Sequence, residues 1–194
     1  MRLGVAHHLG WAVAVTASSD HVVHDRRRIE LVDPGLPAAP VHHVGGPHAL
    51  HRPAVQVDDE ELASLVARVR ASAMRASTVA LDELVGDVAT PIVSLSVAAW
   101  PPEFPEDIAV QRRVPYESRA DSVMYRQVLA DAAERRGWAV HLYEPKSVES
   151  AAAQLLGARA HDVLHGPRRA LGPPWSKDHR MALAATVLAS ATAS

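Results

Sequence analysis

Three short apolar runs crowd into the first 32 residues: Arg2 to Ala6, Trp11 to Thr16, and Val22 to Val32. Only a few residues separate them. His7-His8-Leu9-Gly10 turns the chain after the first run, with Gly10 free to take a positive φ, and Ser18-Ser19-Asp20 turns it after the second. Linkers this short join strands antiparallel, because a parallel return needs a crossover of about a dozen residues or more. The chain therefore opens as an antiparallel three-strand meander. In the third run, period-two spacing puts Arg26, Arg28 and Glu30 on one face and Val23, Ile29 and Leu31 on the other.

The rest alternates. Asp33 to Pro53 carries Pro34, Pro37, Pro40, Pro47 and Pro53, so regular structure is not expected there. A long loop in a compact domain is usually functional or disordered. Asp58-Asp59-Glu60-Glu61 then opens a helix, with acids where the helix dipole favours them. Leu62, Leu65, Val66, Val69, Ala73 and Ala76 give it an apolar stripe to about Val85, with a break expected near Ser77-Thr78. Pro91 to Val97 reads as the central parallel strand. Ala98 to Tyr116 is a second proline-rich irregular segment.

Ser118 to Arg136 is a helix ended by Gly137, Trp138 to Tyr143 a strand, and Ser147 to Leu156 a helix closed by Gly157. A short helix near Ala158 to Leu164 leads to a last helix from Ser176, its N-cap, to about Leu188. The order is β-β-β-α-β-α-β-α-α. It predicts one domain over residues 1–194, an α/β fold with a mixed sheet and helices on both faces.

Composition bounds the function. Hydrophobic residues make up 48% of the 194, mostly small or β-branched, with a single Phe. That is an ordinary globular composition. A net charge of −2 gives no global attraction to nucleic acid, so such binding needs a local basic patch. The absence of cysteine removes disulfides, thiolate metal sites and Cys nucleophiles. No apolar run is long enough to span a membrane, and a cytoplasmic protein is expected. There is no phosphate-binding Gly-rich loop, no Gly-x-Ser-x-Gly elbow, no His-Glu-x-x-His and no dinucleotide fingerprint.

The two ends of the chain carry the most specific text. Gly4-Val5-Ala6 and Gly10-Trp11-Ala12 frame the first hairpin, and Tyr143-Glu144-Pro145-Lys146-Ser147-Val148 follows the last strand. Asp178, then Met181-Ala182-Leu183-Ala184, opens the final helix. With the element order, these segments resemble the RNase H-like superfamily, in its RuvC-type resolvase branch. The resemblance spans nearly the whole chain. It implies an RNase H-like fold whose metal-binding carboxylates lie on the first strand, the middle strand and the last helix. Here those positions fall on Ala6, near Ser96, and on Asp178 and Met181. Only Asp178 keeps an acid. Two-metal cleavage needs several carboxylates to hold ions about 4 Å apart, so the acidic site is degenerate.

Twelve histidines, eight of them in the first third, offer a substitute. By the resemblance, His7 and His8 lie near the start of the last helix, hence near Asp178 and His179. His7, His8, Asp178 and His179 are candidate catalytic residues, and His7, His8 and Asp178 candidate ligands for one divalent metal, since imidazole suits transition metals. Lys177 and Arg180 at a helix N-terminus are candidate phosphate ligands. Arg112, Arg113, Arg119 and Arg126, interleaved with Tyr116 and Tyr125, form a second cationic and aromatic group able to contact phosphate and stack a base. His42 and His43, with His48 and His51, have ligand spacing in the long loop. Glu103, Glu106 and Asp107 offer late acids beside the central strand.

These residues give three expectations. The first is an RNase H-like protein without standard two-metal nuclease activity that binds nucleic acid or a nucleotide-like ligand. The second is a His/Asp metal-dependent phosphodiesterase or nuclease. The third is a structural or assembly protein that uses segments 33–53 and 98–116 as partner surfaces, or a homodimer formed through the long Asp58–Val85 helix.

Overall fold

The structure, a computed structural model, describes residues 1–46 and 57–191. Five strands form one sheet: β1 (Arg2–His7), β2 (Trp11–Ala17), β3 (Val23–Glu30), β4 (Ser94–Ala98) and β5 (Ala139–Tyr143). Their order across the sheet is β3-β2-β1-β4-β5. The first three pair antiparallel, and β4 and β5 run parallel to β1. The helices are α1 (Asp59–Asp87), α2 (Ile108–Gln111), α3 (Glu117–Glu134), α4 (Val148–Leu156), α5 (Ala160–His165), α6 (Pro167–Leu171) and α7 (Lys177–Ala191).

The sheet is covered on both faces. Leu3, Val5, Ala12, Ala14, Leu95 and Val97 point to α1 and α3, where they meet Val69, Leu84, Tyr125 and Leu129. Ala6, Val13, Val15 and Ala98 point the other way, to Ala152 and Leu156 of α4 and Ala182, Leu183 and Val187 of α7. A strand buried on both sides alternates faces without alternating polarity. Side-chain size decides which helix sits closer. On the α7 face, β1 and β4 present Gly4, Ala6, Ser96 and Ala98, and α7 answers with Ala182 and Ala185. Backbone therefore packs almost on backbone there. A Cβ added at Gly4 would lie 1.9 Å from the Ala182 carbonyl oxygen.

Several local expectations change. Between Thr16 and Ala17 the β2–β3 register slips, pairing Thr16 with Asp25 but Ala17 with Val23. The bulge reverses the side-chain alternation beyond it. Val23 therefore packs with the α7 side, while Ile29 and Leu31 stay with α1 and α3. Helix α1 is unbroken at Ser77-Thr78. Ser77 is buried in the interface, and the Thr78 hydroxyl donates to the Met74 carbonyl at 2.8 Å, so both fit within the helix.

Both proline-rich segments contain regular turns. Pro40–Gly45 forms a π-helical turn, with Pro40 at its start where no donor is needed. The buried carboxylate of Asp121 on α3 holds this turn, accepting from the backbone N–H of Val41 at 3.0 Å and of His42 at 2.9 Å. The one-turn helix α2 is capped by Asp107, which accepts from Ala109 N–H at 2.9 Å. Asp107 thus caps α2. His48 and His51 lie outside the described residues. Among the described residues, no helix is long and apolar enough to cross a membrane.

Candidate functional site

The parallel strands β1, β4 and β5 end on the same side of the sheet, and α3, the loop after β5 and the start of α7 surround those ends. Ligands of open α/β sheets bind outside the carboxyl ends of the strands. The sequence candidates divide between two sides of this edge.

His7 is the last residue of β1. Strand alternation sends it to the same face as Leu3 and Val5, toward α3. Its Nε2 lies 3.0 Å from the Ser122 hydroxyl and accepts from Arg126 Nε at 3.2 Å. Burial, then Arg126 and His8, hold its pKa down to about 3. The ring is therefore neutral, with Nε2 as an acceptor.

His8, one residue on, goes the other way. Its Nε2 sits 3.1 Å from Asp178 Oδ2, on the first turn of α7. Its ring stacks on Trp11 at 4.1 Å and 10°, and the Arg28 guanidinium lies 4.1 Å from the same ring. Trp11 thus contacts both His8 and Arg28. The result is a ladder of Arg28, Trp11, His8 and Asp178. Its His8–Asp178 end is open to solvent, with side-chain exposures of 43% and 24%.

The proposed ligand set of His7, His8 and Asp178 is therefore not assembled. Adjacent residues at a strand end diverge, and the Nε2 of His7 is taken by Ser122 and the Arg126 guanidinium. Among the described residues, no three His, Asp or Glu side chains are grouped to hold a metal ion.

His179 is likewise structural. It is buried, and its Nδ1 faces Ser176, 3.2 Å from the backbone N–H that donates to it and 2.8 Å from the hydroxyl. This is half of a capping box, with His in place of the usual Glu. Burial, then Arg26, lowers its pKa, against the opposing pull of Asp178.

The basic candidates also separate. Arg180 donates to Glu149 at 3.0 Å, tying α7 to α4. Arg112 donates to the carbonyls of Gly45 and Val57, both at 2.9 Å, and to Asp59 at 2.5 Å, which locks the π-helical turn to α1. These two are engaged within the fold rather than presented to phosphate. Lys177, Arg113 and Arg119 are exposed.

Arg119 borders a cleft of about 630 Å³ at the ends of β4 and β5. Ala99, Trp100 and Pro101 form one wall, Ser118, Arg119, Ser122 and Arg126 of α3 another, and Glu144, Pro145 and Lys146 the third. Three cations face one carboxylate. Ser122, Trp100 and Lys146 were not among the sequence candidates. Lys146 was within reach, since it lies just past the last parallel strand.

No family model matches the chain, and no curated protein matches it. Among solved structures, T. thermophilus RuvC in complex with a Holliday junction substrate aligns with a TM-score of 0.51 and 13% identity, covering 99% of this chain and 94% of that one. The fold is RNase H-like.

The resemblance would put a carboxylate at Ala6, near Ser96, and at Asp178 and Met181. Ala6 is fully buried, and the buried Ser96 hydroxyl donates to the Ala185 carbonyl at 3.3 Å. Asp178 is paired with His8. Ala6 and Met181 offer no oxygen ligand and the Ser96 hydroxyl is engaged with α7, so these residues, with Asp178 as the one carboxylate, do not fit a pair of divalent ions.

Proposed function

We propose that this RNase H-like protein binds nucleic acid and does not cleave it by two-metal chemistry. The observation that carries the reading is the cleft bounded by Arg119, Arg126 and Lys146, which makes a local basic patch on a chain of net charge −2. Phosphate contacts supply most nucleic-acid affinity, and they need local rather than global charge. The structural neighbour is described in complex with a Holliday junction substrate, which supports testing branched DNA first. The replacement of acids by Ala6, Ser96 and Met181 supports the loss of cleavage.

Filter binding to branched, duplex and single-stranded DNA and to RNA tests the reading, run at low and moderate salt. The expected result is binding whose logarithm falls linearly with the logarithm of salt concentration. No binding to any of them at low salt overturns it. Cleavage of the bound substrate with added Mg²⁺ or Mn²⁺ overturns its second half.

A further inference from the structure

We infer that Arg126 is a resident cation that clamps a phosphate group at the strand ends without a metal ion. The inference rests on the nucleic-acid reading above and says what replaces the lost acidic site.

Arg126 reaches from α3 across the ends of two adjacent parallel strands. Its Nη1 donates to the carbonyl of Ala99, the first residue past β4, at 2.5 Å. Its Nε donates to His7 at the end of β1, at 3.2 Å. The side chain is only partly exposed and lines the cleft. A guanidinium carries five N–H donors in a rigid fork. Two are used to fix its position, which leaves donors on a rigid, permanently charged group at the cleft wall.

His7 makes the position possible. A protonated imidazole would repel the guanidinium and offer it no lone pair. Burial keeps His7 neutral, so it accepts instead. A divalent ion brought to the same strand ends would meet a positive guanidinium, a buried alanine and, in the cleft, the single carboxylate of Glu144 among three cations. The chemistry that fits is a phosphate oxygen, taken bidentately by Arg126. Arg119 and Lys146 stand on the neighbouring walls, with Glu144 the opposing charge.

The phosphate could belong to a nucleic acid or be a free anion, and the test separates them. Binding of a labelled four-way DNA junction is measured with excess EDTA and with Mg²⁺, for the wild type and for Arg126→Gln, Arg119→Gln and Lys146→Gln. Arg159→Gln, an exposed change on the far face of the sheet, is the control. The expected result is wild-type affinity unchanged by EDTA and weakened about tenfold or more by Arg126→Gln. Arg119→Gln and Lys146→Gln should each reduce the salt slope by about one unit, with the control unchanged.

If Arg126→Gln does not fold, as judged by circular dichroism, the other two variants and the EDTA comparison decide. Junction binding abolished by EDTA, or equal in all cleft variants, overturns the clamp while leaving nucleic-acid binding intact. If the wild type binds no nucleic acid, inorganic phosphate is titrated and followed by amide shifts. Shifts at Ser122 and Arg126 retain the clamp as a free-phosphate site, and their absence overturns it.

Discussion

Gly4 on β1 and Ala182 on α7 meet backbone to backbone: a Cβ on the glycine would stand 1.9 Å from the Ala182 oxygen and 3.1 Å from Thr186 Cγ2. Neither backbone can move without disturbing its own hydrogen bonds. Gly4→Ala should cost about 3 kcal/mol or more, at the upper end of overpacking penalties. At Gly45 an added Cβ would meet the side chain of Leu62, at 2.2 Å from Cδ2. A leucine end can rotate, so Gly45→Ala should cost about 1–2 kcal/mol. Urea unfolding of both variants checks the ranking, and the reverse order would contradict it.

Stability should fall with acid, and His7 should account for part of the slope. An unfolded histidine titrates near 6.5 and folded His7 near 3. Between those values the unfolded chain binds one more proton, so stability is fully present above about pH 6.5 and is lost as pH falls toward 3. One proton sets a slope of at most about 1.4 kcal/mol per pH unit. Buried His179 is shifted the same way. Unfolding free energies of His7→Gln from pH 7 to 4 should show a slope shallower by about one proton.

The His8–Asp178 pair should matter little for stability. Both groups are open to water, and exposed ion pairs are worth about 0.2–1 kcal/mol. A double-mutant cycle with His8→Ala and Asp178→Asn should give a coupling energy below about 1 kcal/mol. A larger value would mean that the ladder with Trp11 and Arg28 acts as a unit.

Asp121 should be far more sensitive. Its carboxylate satisfies two backbone donors of the π-helical turn. Burial, the largest influence on it, raises its pKa against the pull of those same bonds. Asp121→Ala strands both donors and should cost about 2–4 kcal/mol, since each unsatisfied buried group costs about 1–3. Asp121→Asn keeps one acceptor oxygen and should cost less. Thermal unfolding of the two variants, read against the wild type, checks the difference.

Much of the architecture was legible because it is carried by local signals. The turns at Gly10 and Gly137 do take positive φ, and the three apolar runs form β1, β2 and β3 within a residue or two. The acid-rich start of α1 holds as well, with Asp58 accepting from Glu61 N–H at 2.8 Å. The π-helical turn was not legible. Proline density says what a segment avoids, whereas this turn depends on Asp121, 80 residues away.

The candidate site shows the same division. The resemblance could bring His8 to Asp178, because it implies that the first hairpin lies beside the start of the last helix. The order of the strands and long helices could thus be read from the sequence. The sequence could not orient His7, because one residue of strand phase decides whether that ring faces α7 or α3. It could not tell Arg126 from Arg112, two arginines of one cationic group. One is spent tying α1 to the π-helical turn, and the other bridges two strand ends at a cleft. Those assignments depend on contacts between residues far apart in the chain, and only packing across the sheet brings them together.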